Sequence, residues 1–540
     1  MLIYRGGAFK LGGGQINDML SRRKNLKYRL IFEGTVVGAL AGAVIVIYRE
    51  LIDILLPKFT KLYQWATFDI TRIIGIFVLL CVLGAIVGFM VRLEPMISGS
   101  GIPQVEGDLS RNLKMSWWKI LIFKFMGGVI SLGAGLSVGK EGPSVQMGAS
   151  VGKGFSRVFK FSKVEEKFLI TAGAAAGLSS AFNAPLSGAI FALEEVHRNF
   201  SPLVLISAMA SSLASDFILK LFLHPGLALG FKSPLLVLPL KYYWILIILG
   251  IIMGVGGAIF NKGILKVQSL YGCMKKVPIE IKVMIPFVMT GIAGMTAPIL
   301  LSGGHNLIMS LPTSNYGLDL LFAMLILKFI LTLFAFGSGL PGGIFFPLLV
   351  LGSIIGDIFG IVACHYFHIP EVYVLNFIIL AMAANFASTV KAPITGMVLI
   401  LEMTGSFEHI LALSIVVIIS YVISEALNVE PIYESLLGRL LNRVGFKNRD
   451  VIATNKIIVE HSVELGSPME GKLVKDLDLP SCCLVVAIKR GDSEIIPRGN
   501  TKILAGDYLM VMTSEQKSTE IFDMLEVSGA SDVKCCDDRK

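Results

Sequence analysis

Charge is what this chain has least of. Only 16% of its 540 residues are Asp, Glu, Lys or Arg, against 54% hydrophobic, and the mean hydropathy is +0.74. A water-soluble domain carries about 25% charged residues, so most of the chain belongs outside water. Cysteine is sparse and unpatterned. Cys81, Cys273 and Cys364 fall in or beside apolar segments, and Cys482–Cys483 and Cys535–Cys536 are adjacent pairs. Such spacing fits neither a secreted disulfide framework nor a cysteine metal site, so reduced thiols are expected. No basic stripe with interleaved aromatics occurs, which argues against nucleic-acid binding despite the formal charge of +9. The first 29 residues are Gly-rich and basic, without the apolar core of a cleavable signal peptide.

What the chain has instead is long apolar runs. Residues 30–56, 73–93, 201–223, 242–260, 283–301, 318–336 and 409–428 each approach the length of about 20 residues that crosses a hydrocarbon core as a helix. The expectation is a polytopic helical protein of the cell membrane. Arg22, Arg23, Lys24, Lys27 and Arg29 precede the first run, and Arg439, Arg443, Lys447 and Arg449 follow the last. Positive flanks favour the cytoplasm, which puts both termini inside.

Glycine-rich breaks at 98–101, 133–142 and 337–343 interrupt otherwise apolar sequence, and self-comparison accounts for them. Residues 133–152 align without gaps on 337–356, and residues 174–194 align on 382–402, with Lys124 falling on Lys328. Two long blocks in the same order and nearly one register mark an internal duplication. Duplicated membrane units broken by Gly and Pro at matching places are a signature of secondary transporters. Broken helices leave backbone N–H groups at membrane depth, tolerable only inside protein or facing a cavity. A helix N-terminus there carries about half a positive charge and binds an anion without a lysine. Both copies keep Gly-x-x-x-Pro, Gly139 to Pro143 and Gly343 to Pro347, which suits a loop entering a helix. Gly148, Gly152, Gly352 and Gly356 read instead as packing glycines.

Three of these loops carry a resemblance. Ser98-Gly-Ser-Gly-Ile-Pro103, Gly139-Lys-Glu-Gly-Pro143 and Gly343-Ile-Phe-Phe-Pro347 look like the signature loops of CLC chloride channels and exchangers, over roughly residues 30–440. The resemblance implies an all-α polytopic membrane fold of two inverted repeats with broken helices, in a homodimer with one pore per subunit. Carried over by motif, the Ser100 hydroxyl and the backbone amides of Ile344 and Phe345 would hold a central chloride. Tyr433, in Glu-Pro-Ile-Tyr-Glu-Ser, would close the site from the cytosolic side. Glu141 looks like the gating glutamate, an anion that occupies the site when ionised and leaves when protonated. Glu195 matches the inner proton-transfer glutamate of exchangers, whereas Glu194, His197 and Arg198 read as charges at a helix end. A proton-coupled chloride antiporter is therefore expected, with a passive voltage- or pH-gated channel as the alternative. Protons and chloride would be the transported ions, bromide and nitrate tolerated, with no enzyme activity, cofactor or metal.

After residue 451 the pattern turns to soluble alternation. Strands are expected over 456–464 and 483–489, a hairpin turn at Arg490-Gly-Asp492, further strand through 494–497 and 505–512, and a closing helix near 514–526. Ile-Ile-Pro-Arg-Gly and Ala-Gly-Asp-Tyr-Leu resemble the RCK C-terminal (TrkA-C) domain of potassium transport regulators, over roughly 455–528. This implies a small cytosolic α+β regulatory domain. The resulting partition is an N-terminal segment 1–29, transport domain 30–440, linker 441–454, regulatory domain 455–528 and tail 529–540. Some relatives of this module bind cyclic di-AMP at a dimer interface; Lys489, Arg490, Ile495, Ile496 and Pro497 would be the contacts here, or else plain strand and turn residues. A potassium transporter is disfavoured, since no Thr-Val-Gly-Tyr-Gly filter run occurs.

Overall fold

The computed structural model describes residues 13–443 and 456–514 except 68, 225, 232–234, 315, 478, 481–482 and 492, together with 521–522 and 524–525. Lys447, Arg449, Cys482, Asp492, Cys535, Cys536, the linker after residue 443, the tail 529–540 and most of the expected closing helix lie outside the described residues. Contacts divide the chain into two units, Met1–Leu441 and Asn442–Lys540.

The first unit is helical. A first set of eight comprises α1 (Gly13–Ala66), α2 (Ile70–Leu93), α3 (Ile102–Leu109), α4 (Trp117–Gly133), α5 (Glu141–Val158), α6 (Lys163–Phe182), α7 (Pro185–Phe191) and α8 (Pro202–Leu223). A second set follows in the same order: α9 (Tyr243–Cys273), α10 (Ile279–Thr296), α11 (His305–Ser310), α12 (Leu318–Gly337), α13 (Phe345–Phe367), α14 (Val374–Val390), α15 (Pro393–Thr404) and α16 (Ile410–Ala426). The helix α17 (Ile432–Arg443) has no counterpart.

Small residues set the helix pairs. Gly34, Gly38 and Gly42 of α1 lie on the backbone of Ser207, Ser211 and Ser215 of α8, and a Cβ at Gly38 would come within 2.1 Å of the Ser211 carbonyl oxygen. Close backbone approach of this kind replaces the hydrophobic drive that lipid does not supply. In the second half Gly250 and Gly254 of α9 meet Ile419 and Ile423 of α16.

The halves meet at an antiparallel bridge. Gly139 N–H donates to Gly343 O and Gly343 N–H to Gly139 O, both at 2.7 Å. A second reciprocal exchange ties their far ends. Glu402 at the end of α15 accepts from the amides of Leu186 and Ser187 at the start of α7, at 2.9 and 2.7 Å. Glu194, its counterpart 208 residues earlier, accepts from the amides of Ile394 and Thr395 at the start of α15, at 3.1 and 2.7 Å. Each carboxylate thus satisfies helix-start N–H groups that have no intrahelical acceptor.

Nine helices among the described residues are long and apolar enough to cross a membrane. Two of them, Phe345–Phe367 and Glu371–Val390, were not among the apolar runs read from the sequence. Both are the most enclosed by protein, and Gly352, Ser353, Gly356, Asn376, Asn385 and Ser388 interrupt their apolar residues.

The second unit holds a four-stranded antiparallel sheet, β1 (Lys456–Ser462), β2 (Leu484–Arg490), β3 (Ser493–Ile495) and β4 (Asp507–Ser514), in the order β1-β4-β2-β3. Val459, Val485, Ile488, Leu509 and Val511 form its core with Ile521 and Leu525.

Candidate anion and proton path

The site is built from loops that two buried lysines hold in place. Lys124 of α4 donates to the carbonyls of Ile97 and Gly99 at 2.8 and 2.6 Å. Lys328 of α12 donates to those of Leu300 and Ser302 at 2.9 and 2.6 Å. Both lysines are fully buried, and both point at carbonyls where a helix has broken. Neither therefore enters the anion path. The Lys124 brace fixes the loop carrying Ser100. Gly101 then turns the chain into α3 with φ of 98°, a conformation costly for any residue with a Cβ.

That turn brings Ser100 beside the start of α5. A Cβ on Gly142 would lie 2.4 Å from the Ser100 hydroxyl. The start of α13 faces the start of α5 across the Gly139–Gly343 bridge, with Ile344 as its N-cap and Phe345 as its first residue. Pro143 and Pro347 occupy the first turns, where a missing N–H costs nothing. Phe345 is locked by aromatic contacts to Phe386, Phe182 and Phe191, with centroids 4.2, 4.9 and 5.8 Å away. From the other side α17 delivers Tyr433 in its first turn, fully buried, with its phenol close enough to act on Ser100.

Four oxygens here stand out by what they lack. The Ser100 hydroxyl, the Tyr433 phenol and both carboxylate oxygens of Glu141 are buried without a well-aligned hydrogen bond, although Ser100 lies beside the phenol and the amides of Glu141 and Phe346 lie beside the carboxylate. Buried polar atoms are nearly always well paired, so a cluster that is not marks a place for a ligand. Two hydroxyls and the amides of a helix start are a donor set that suits a small anion without a fixed positive charge. The amides of Glu141 itself and of Phe346 face the Glu141 carboxylate, which sits where such an anion would be attracted. Outside it opens a cavity of about 440 Å³, lined by Arg49, Asp53, Lys140, Glu141, His305 and Phe346 among others.

Glu195 lies elsewhere. It is buried in a π-helical turn, Ala192–His197, and lines no part of that cavity. Such turns recur at functional positions, since the extra residue re-aims a side chain. Tyr433 is within electrostatic reach of both Glu195 and Glu141. Glu194 and Arg198 are not simple helix-end charges. Glu194 caps α15, and Arg198 pairs with Glu106, Glu195 and Glu434. The hydropathy pattern carried no sign of these partners. Repeat alignment did place Glu194 on Glu402 and Lys124 on Lys328, and that was the available signal.

In the second unit the expected ligand contacts divide. Arg490 is engaged with the buried Asp507 carboxylate at 2.7 Å and with the Lys502 carbonyl at 2.9 Å. Burial alone would push the Asp507 carboxyl up, but the hydrogen bonds from Arg490 and the Leu504 amide outweigh it and hold Asp507 below the usual range. Ile495 packs on the core, whereas Lys489 and Ile496 face outward, Ile496 at 85% exposure. Pro497 is half-buried. Among the described residues no cluster of three or more His, Cys, Asp or Glu could hold a metal ion.

A duplicated helical scaffold whose broken helices start opposite one another is the architecture of a class of membrane transporters. Residues 83–425 match the voltage gated chloride channel family, and residues 458–525 match the TrkA-C domain. The H(+)/Cl(-) exchange transporter ClcA of Yersinia pestis is 33% identical over 466 residues, covering 84% of this chain and 96% of its own. ClcA of Salmonella typhi is 35% identical over 437 residues, 79% of this chain and 92% of its own. A solved slow cyanobacterial Cl-/H+ antiporter superposes with a TM-score of 0.73 at 32% identity, covering 77% of this chain and 98% of its own. The chain belongs to the voltage gated chloride channel (CLC) family, with a TrkA-C domain at its C-terminal end.

Proposed function

We propose that this protein is a proton-coupled chloride antiporter. The observation that carries the reading is the group of buried oxygens without a well-aligned hydrogen bond, Ser100 and Tyr433 around a socket and Glu141 at its mouth, with a second buried carboxylate, Glu195, set apart. Chloride binds between the Ser100 hydroxyl, the Tyr433 phenol and the amides of Ile344 and Phe345. Ionised Glu141 competes for the same positive helix ends; protonated, it loses that attraction and yields to chloride. Glu195 takes protons from the opposite side, as titratable groups inside membrane segments are rare and mark ion and proton paths. The names of the relatives agree with this assignment.

The basic flanks at Lys27–Arg29 and Arg439–Arg443 set both termini in the cytoplasm, so Glu141 faces outward and Glu195 inward. The functional unit is a homodimer with a separate path in each subunit. The transport domain spans 30–440 and the regulatory domain 455–528. A nucleotide such as cyclic di-AMP binds the latter, with Lys489 and Ile496 as the outward-facing contacts. Arg490, held by Asp507, shapes the hairpin rather than meeting the ligand.

The test is flux from liposomes under a chloride gradient, with chloride and proton movement recorded together. Coupled uphill proton movement supports the antiporter. Chloride flux with no proton movement replaces it with the passive channel. Cyclic di-AMP that neither binds the whole protein nor alters flux removes the nucleotide from the proposal.

A further inference from the structure

Arg198 sits where three functional elements converge. It follows the π-helical turn in the left-handed conformation, φ 54°, a region that residues with long side chains seldom adopt. The backbone there turns the side chain back over the turn. Its Nε donates to the Glu195 carbonyl at 3.3 Å, and its Nη2 lies 3.6 Å from Glu195 Oε1. Its Nη1 lies 3.3 Å from Glu106 Oε1 and also bonds Glu434.

The three carboxylates belong to three elements. Glu106 is on α3, whose leading loop presents Ser100; Glu195 is on the π-helical turn; Glu434 is next to Tyr433 in the first turn of α17. One guanidinium serves all three, and Glu195 Oε1 and Glu106 Oε2 remain buried without a hydrogen bond. The charges acting on Glu195 are Arg198, Glu106, Glu434 and Glu194, with Tyr433 facing it from α17. Here, carboxylates outnumber the cation that binds them, so any change in one redistributes the guanidinium among the others.

We propose that Arg198 is a positioning residue that links the proton station at Glu195 to the anion gate formed by Ser100 and Tyr433. The inference rests on the antiporter reading and extends it. When Glu195 is ionised it holds part of the guanidinium. When Glu195 takes a proton its oxygen no longer competes, and the guanidinium is drawn fully to Glu106 and Glu434. Glu106 sits on α3, directly after the Ser100 loop, and Glu434 sits beside Tyr433 on α17, so protonation is felt as a changed tension between α3 and α17. The proton is the only atom that is gained or lost in this step.

The experiment uses the full-length protein in liposomes, with chloride and proton fluxes recorded together while pH is varied on the Glu195 side. Arg198→Gln should lower the protons moved per chloride about threefold and raise the midpoint pH of proton flux by about one unit, as expected when a carboxylate loses a cation about 4 Å away. Arg198→Lys, which keeps the charge, should restore most of the midpoint. Glu434→Gln cuts the link to α17 and leaves more of the guanidinium to Glu195, so it should lower the ratio while moving the midpoint down, opposite to Arg198→Gln. If Arg198→Gln does not assemble, Glu434→Gln must lower the ratio by itself. A coupled wild type whose ratio and midpoint are unmoved by these variants overturns the link alone. So does a proportional loss of both fluxes at unchanged midpoint, which marks a merely structural arginine. A wild type that moves no protons overturns the antiporter reading and the link with it.

Discussion

The two halves of the membrane unit share their scaffold and differ in their chemistry. Each half has a buried lysine bracing two carbonyls of a broken helix, 204 residues apart at Lys124 and Lys328 by position. Each donates one carboxylate to cap a helix of the other half, and each contributes one strand of the Gly139–Gly343 bridge. The chemical residues do not repeat. Ser100 falls on Gly303 at the offset of 203 shared by the lysine-held carbonyls Ile97 and Leu300, Glu141 on Phe345 at 204, and Glu195 on Met403 and Arg198 on Ser406 at 208. Duplication supplied a frame with helix starts facing one another, since a buried backbone must be satisfied in both copies alike. The titratable and hydroxyl groups exist once, because a second carboxylate at the other helix start would compete with the anion there as well.

The largest expected effect comes from removing the single-copy carboxylates. Glu141→Gln should abolish proton coupling and the response of chloride flux to pH while chloride still passes. Glu195→Gln should cut proton flux about a hundredfold or more, since few groups at this depth can substitute, yet leave Glu141 to modulate chloride flux with pH. Liposome assays with a chloride gradient and an external pH record separate the two. A variant of either that still pumps protons at the wild-type ratio contradicts its place on the path.

Next come the paired lysines, where the comparison itself is at stake. Lys328→Met leaves two buried carbonyls without their donor and should cost about 2–5 kcal/mol. Lys124→Met should cost less in thermal unfolding in detergent, because Gly99 O still accepts from the Gly342 N–H at 3.1 Å. Chloride affinity, measured by calorimetry, should fall clearly only for Lys124→Met, because the other loop has Gly303 where Ser100 stands. Equal losses of affinity would mean that both halves serve the anion site.

Ser100→Pro replaces a hydroxyl donor in a loop that already turns sharply, and the chloride preference over nitrate should drop about tenfold, the worth of one hydrogen bond. Competition fluxes that leave this ratio unchanged remove Ser100 from selectivity. The smallest effect belongs to the second unit. Asp507 is held below the usual carboxylate range in the fold, so its contribution to stability is present above the unfolded-state value and lost as pH falls through the folded one. Asp507→Asn should flatten the acid side of the stability profile of that unit, read by hydrogen exchange at β4, and leave transport intact.

Hydropathy and self-alignment made the membrane spans, the duplication and the three signature loops legible, because length and apolarity are local demands of the bilayer on the chain. Ser100, Glu141 and Tyr433 could be named from their motifs, and the strands of the second unit from their alternation. Phe345–Phe367 and Glu371–Val390 escaped notice as spans because small and polar residues, tolerated in helices enclosed by protein, interrupt their apolar runs, although their mean hydropathy is no lower than that of spans that were read. The reciprocal caps of Glu194 and Glu402, the carbonyls held by Lys124, and the three carboxylates gathered by Arg198 were decided by tertiary structure alone. A side chain's own sequence neighbourhood fixes its charge and its helix. Its partner, up to 236 residues away for Arg198 and Glu434, is chosen only when packing closes the space between the elements that carry them.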